Sequence, residues 1–120
     1  MTREVLIVDD SRYTVETLRE ILTEEFEVVG ETSSGEEAVS LYRDLEPDVV
    51  LMDLVIEGVD GVTATANIKR IDPDATVVVL TSRDNSKKKR EAADAGADDY
   101  VTKPFDPDAL LETMRSLSAG

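Results

Sequence analysis

Five side chains in this sequence could do chemistry as a group: the neighbouring carboxylates of Asp9 and Asp10, the carboxylate of Asp53, the hydroxyl of Thr81 and the ammonium of Lys103. Each closes an apolar run, in EVLIVDDS (4–11), DVVLMD (48–53), TVVVLTS (76–82) and DYVTKPF (99–105). Val5 to Val8 read as a strand buried on both faces, with Asp9 and Asp10 where it leaves the core. Adjacent acids there repel each other, and burial raises the cost of keeping them charged. A third acid brought to the same place disfavours full ionisation unless positive charge is supplied. A hard cation with oxygen ligands meets that need. Mg2+ fits, because it takes few protein ligands, keeps several waters and leaves room for a phosphate. Lys103 adds a second positive charge and Thr81 a hydroxyl donor, which together make a site for an oxyanion attached to a carboxylate.

These residues converge only if the elements before them are arranged to do so. Strands are predicted at 4–8, 27–30, 48–53, 76–81 and 99–102. They are short and rich in Val, Ile and Leu, and the middle ones do not alternate with polar residues, as suits a parallel sheet covered on both faces. Between them the apolar residues take helical spacing: Val15, Leu18 and Leu22; Ala38, Leu41, Tyr42 and Leu45; Ala64, Ile68 and Ile71; Leu110, Met114 and Leu117. Ser34-Gly35-Glu36-Glu37 reads as a capping box, and Asp106-Pro107 as an N-cap followed by Pro at the first helical position. The fourth helix, at about 86–95, is the least apolar. Five βα units with right-handed crossovers imply one α/β domain over residues 1–120, a doubly wound, five-stranded parallel sheet with five helices. Ligands in such sheets bind beyond the carboxyl ends of the strands, where the strand order reverses. In the order 2-1-3-4-5 the first and third strands are neighbours, which gathers Asp9, Asp10 and Asp53 into one pocket.

Composition narrows the choice of function. The net charge of −14 argues against direct nucleic-acid binding, which depends on cations placed against phosphates. Cysteine and histidine are both absent, which removes disulfides, thiolate and imidazole metal ligands, and Ser-His or Cys-His nucleophile pairs. No apolar run approaches the ~20 residues of a membrane span, and the N-terminus lacks a signal-peptide pattern, so a cytoplasmic protein without membrane insertion is expected. An acidic surface poor in Lys also suits work at high ionic strength, where screening weakens self-repulsion.

The stretches VLIVDDS, DVVLMD, Asp60-Gly61, VVVLTS and AGADDYVTKPF resemble, in order and along the whole chain, a response-regulator receiver domain of the CheY type. The resemblance implies a flavodoxin-like fold with Asp53 as phosphoacceptor. Asp9, Asp10, Asp53 and the backbone carbonyl of Val55 are then the Mg2+ ligands. Thr81 hydrogen-bonds the phosphoryl group, Lys103 pairs with it, the peptide before Pro104 is cis, and Tyr100 is the aromatic switch. The implied donor is a histidine kinase. The implied output is a downstream protein bound through the fourth helix, fifth strand and fifth helix, by a monomer or a phosphorylation-dependent dimer. The only catalysis implied is phosphorylation and dephosphorylation of the chain itself. REILTEEFEVVGE, LYRDLEPD and KKKREAADAGADDYVTKPF are similar to archaeal chemotaxis regulators. With the finished amphipathic helix in LLETMRSLSAG, they favour a stand-alone chemotaxis regulator; the alternative is a receiver excised from a longer regulator with a DNA-binding or enzymatic output domain.

Taken singly, these residues have ordinary explanations. Asp9 or Asp10 can cap the first helix, Thr81 has good strand propensity, and Tyr100 suits a half-buried core position. The set carries the reading. Lys87-Lys88-Lys89-Arg90, the one basic run, reads as a solvated helix face, with a docking patch for an acidic partner as the competing view. Two departures from the family pattern stand out. Ile56-Glu57 replaces Met-Pro and adds an acid near the metal, and Val55 and Arg83 occupy the places that tune water attack on the acyl phosphate, from which slow self-dephosphorylation is expected. Rival functions lack their signatures. A flavodoxin-like binder would carry a glycine-containing phosphate cradle after the first strand, a P-loop NTPase needs GxxxxGK[ST], and a haloacid-dehalogenase-like phosphatase needs D-x-D and a cap module.

Overall fold

Strands and helices alternate without exception through the computed structural model, which describes residues 2–56 and 58–118; Glu57, with the acid it was expected to add near the metal, lies outside them. The elements are β1 (Arg3–Val8), α1 (Arg12–Leu22), β2 (Phe26–Thr32), α2 (Gly35–Leu45), β3 (Val49–Asp53), α3 (Gly61–Ile71), β4 (Val77–Ser82), α4 (Ser86–Asp94), β5 (Asp99–Lys103) and α5 (Pro107–Ser118). All strand pairs are parallel, in the order β2-β1-β3-β4-β5, so β1 and β3 are neighbours as required.

Strand alternation divides the core in two. Val5, Ile7, Leu51, Val78, Leu80 and Val101 face α1 and α5, where Val15, Leu18, Leu22, Leu110 and Met114 cover them. Leu6, Val8, Val50, Met52, Val77 and Val79 face the other helices, against Ala38, Tyr42, Ala64, Ile68 and Ala92. The same alternation carried past the carboxyl ends sorts the functional side chains. Asp9 follows Ile7, Asp53 follows Leu51 and Lys103 follows Val101, so all three share the α1/α5 side. Thr81 follows Val79 onto the opposite side, where α4 lies.

Local signals behave mostly as the sequence indicates. Ser11, Ser34 and Asp60 cap α1, α2 and α3 by accepting backbone N–H groups at 3.2, 3.2 and 2.9 Å. Asp106 accepts from the Asp108 N–H at 3.1 Å ahead of α5. The capping box at α2 is only half made, because the Ser34 N–H donates to Thr32 Oγ1 at 3.1 Å rather than to Glu37. β2 extends to Thr32 instead of stopping at residue 30. Ile71, on the predicted apolar stripe of α3, lies in the last turn of that helix and is 42% exposed. Among the described residues, no helix is long and apolar enough to cross a membrane.

Candidate functional site

Beyond the carboxyl ends of β1 and β3, one carboxylate oxygen from each of Asp9, Asp10 and Asp53 lies within 4.8 Å of the other two. Asp9 is buried by its place in the sheet: its N–H continues the β1–β2 ladder by donating to the Thr32 carbonyl at 3.0 Å. It does not cap α1, which Ser11 does; Asp9 Oδ1 instead accepts the Ser11 N–H at 2.9 Å. Asp10 is exposed and faces solvent at the mouth of the cluster. Asp53 ends β3, and its Oδ1 accepts the Val55 N–H at 3.2 Å, which fixes the turn of the loop beneath it. A Cβ on Gly61 would overlap the Asp53 carbonyl oxygen, so only glycine lets α3 begin against the phosphoacceptor candidate's backbone.

Lys103 completes the group. Its ammonium lies 2.8 Å from Asp9 Oδ2 and 3.3 Å from Asp53 Oδ2. Burial pushes this lysine's pKa down, but the hydrogen bond to Asp9 and the field of Asp53 more than offset it, and the ammonium is held above its ordinary range. Asp53 goes the other way. Desolvation and then the charge of Asp9 push its carboxyl up to about 6, against the opposing pull of Lys103 and the Val55 N–H. Three carboxylates and one ammonium, all ionised, leave two negative charges uncompensated. The donors are all oxygen and sit close together, with one of them open to solvent, so the set fits a hard divalent cation that retains water.

The remaining predicted residues fall on the rim. Thr81 is buried, and among the described residues its hydroxyl makes only a long bond, 3.3 Å, to the Ser82 carbonyl. The Lys103–Pro104 peptide is cis, as expected. Val55 is 62% exposed, and Arg83 is exposed. Tyr100 stands on the outer surface of the edge strand β5, with the Lys89 ammonium 3.3 Å above its ring centroid. The basic run is therefore not a uniformly solvated face. Lys88 pairs with Asp60 at 3.1 Å and Lys89 covers Tyr100, while Lys87 and Arg90 are exposed.

One arrangement escaped sequence reasoning. Glu31, at the end of β2, accepts from Arg12 Nη1 at 2.6 Å and from Arg19 Nε at 2.7 Å. The two arginines hold its carboxyl below its ordinary range. Arg12 and Glu31 thereby form one wall of a cavity of about 260 Å3 whose other walls include Asp9, Asp10 and Thr32. The signal was an acid one strand position from the β2 boundary, hidden by ending that strand too early.

Comparison with known proteins agrees with this geometry. A family model describing the response regulator receiver domain matches residues 5–115. The chemotaxis protein CheY of Halobacterium salinarum is 43% identical over 114 residues, covering 95% of this chain and 95% of the relative. The chemotaxis protein CheY of Thermotoga maritima is 38% identical over 119 residues, covering 98% of this chain and 99% of the relative. Among solved structures, the CheX–CheY–BeF3–Mg2+ complex from Borrelia burgdorferi matches with a TM-score of 0.90 at 32% identity, over 96% of this chain and 88% of that one.

Proposed function

The chain belongs to the response regulator receiver domain family, and on that premise we propose that Asp53 accepts a phosphoryl group from a phosphohistidine on a partner kinase. The observation that carries this reading is the meeting of Asp9, Asp10 and Asp53 with the Lys103 ammonium. With a pKa of about 6, Asp53 is mostly ionised at neutral pH, so a carboxylate oxygen is available as nucleophile. The oxygen–phosphorus bond forms as the phosphorus–nitrogen bond to the donor imidazole breaks, and the electron pair leaves with the imidazole. Lys103 already touches Asp53 and offsets charge on the transferring oxygens. Asp9, Asp10, Asp53 and the Val55 carbonyl would hold Mg2+, whose charge offsets the remainder when it is bound. The Thr81 hydroxyl, weakly engaged with Ser82, donates to a phosphoryl oxygen.

The product is an acyl phosphate. Its added charge of about −2 draws Thr81 inward, and Tyr100, on the same sheet face, turns into the space vacated. The surface of α4, β5 and α5 changes with it and binds a downstream protein. The CheY relatives support a role in chemotaxis. No further reaction is assigned to the chain beyond gaining and losing its own phosphoryl group.

Mass spectrometry after acetyl phosphate and Mg2+ tests the assignment: the parent gains a phosphoryl adduct and Asp53→Asn does not. An adduct that survives this substitution undiminished overturns it. The exposed Val55 cannot orient a hydrolytic water, and Arg83 lies beside the Thr81 end of β4, so the acyl phosphate is expected to be long-lived. Val55→Asn should shorten that lifetime, and a parent half-life of seconds in Mg2+ would reject the expectation.

A further inference from the structure

α4 is held to the domain differently from the other helices. Of its residues only Ala92 is buried, so the apolar packing that normally fixes a helix is nearly absent. Asn85 stands at its N-cap without a side-chain capping bond, unlike Ser11, Ser34 and Asp60 at the helices before it. What α4 has instead is two consecutive lysines reaching in different directions. Lys88 crosses to Asp60, the cap of α3 in the loop that follows Asp53. Lys89 crosses to the ring of Tyr100 on β5 and makes no ion pair among the described residues.

Tyr100 pairs in register with Val79, two residues before Thr81, and alternation places all three on the α4 side of the sheet. Beside the ring lies a cavity of about 310 Å3, walled by Thr81, Arg83, Asn85, Lys89 and Tyr100 among others. The ring thus has space to enter and a cation that keeps it out. We propose that Lys89 is a positioning residue that latches Tyr100 in its outward orientation, so that releasing this contact is part of the switch. The proposal rests on the phosphoacceptor reading of Asp53 and adds to it a restraint peculiar to this α4. Breaking one part-exposed cation–π contact shifts a two-state equilibrium by about 2- to 5-fold.

The test compares Lys89→Met, which keeps the aliphatic stem, Lys89→Arg, which keeps the cation, and Lys87→Met, which makes the same charge change at an exposed neighbour without the contact. Beryllofluoride affinity is measured in Mg2+, and the 19F resonance of fluorotyrosine-labelled Tyr100 is followed without ligand. Lys89→Met should bind beryllofluoride about 2- to 5-fold more tightly and move the unliganded Tyr100 resonance. Lys89→Arg and Lys87→Met should resemble the parent in both. A parent-like affinity together with an unmoved resonance in Lys89→Met overturns the latch and leaves the phosphoacceptor intact. A parent that binds no beryllofluoride overturns the phosphoacceptor reading, while the unliganded resonance still judges the latch.

Discussion

Asp53→Asn should make the protein more stable than its parent in chelator at neutral pH, with the advantage vanishing in acid. The folded protein holds the Asp53 carboxyl at about 6, above its ordinary value of 3.8, because burial and Asp9 penalise the charged form. Between those values the folded state keeps a proton that the unfolded chain has lost, so stability falls as pH rises through the window. Above about pH 6 the whole cost is present; below about pH 4 both states are protonated and it is absent. A shift of about two units corresponds to roughly 3 kcal/mol, and solvent reaching the open side of the cluster reduces this to about 1–2 kcal/mol. Asn removes the charge and with it the cost. Thermal unfolding of both proteins in EDTA, at neutral pH and near pH 3.5, measures the difference. Equal stabilities at neutral pH would show that the ionised Asp53 carboxylate carries no such cost. Adding Mg2+ should narrow the gap, because a cation held by carboxylates stabilises the parent more.

Lys103→Met acts with the opposite sign. The Asp9 side chain is fully shut off from solvent, and the Lys103 ammonium is its charged partner at 2.8 Å. Removing that ammonium leaves a buried anion facing Asp53 and Asp10 with no counter-charge. Breaking a buried pair from one side costs about 3–5 kcal/mol, and the partial exposure of Lys103 places the expected loss near the lower end, about 3 kcal/mol. The midpoint of denaturant unfolding in chelator should fall accordingly, and Mg2+ should restore much of it by supplying the missing charge to the folded state alone. An unchanged midpoint in chelator would show that Asp9 does not depend on this lysine.

How much of this was legible depended on whether a feature is local. β1, β3 and β4 were readable because strands covered on both faces must be continuous apolar runs, and the acids closing them were conspicuous for that reason. The carboxyl half of β2 was not. Its register against β1 passes from Val28 to Gly30 between Val5 and Leu6, and this irregularity breaks the two-residue alternation that reveals an edge strand. Glu31 and Thr32 remain in the ladder because backbone pairing is indifferent to their polarity. Ile71 fits the helical period perfectly well, yet the period says nothing about how far along a helix the core reaches. Sequence order also placed Lys103 near the acids without giving its reach. Its contacts depend on register across β4 and β3, as does the Lys89–Tyr100 pair across α4 and β5.

That reach has a mechanical meaning. β5 is the outermost strand on its side, bonded to β4, yet the side chain at its last residue ends on Asp9 of β1, three strands across the sheet. Lys103 is in effect a guy-line from the rim of the sheet to its middle, and its anchor is the very carboxylate that an incoming cation would claim. Filling the site slackens the line, so fraying at the carboxyl end of β5, readable as amide hydrogen exchange, should report on events at β1. The border of the sheet is thereby informed of its centre through a single flexible tether.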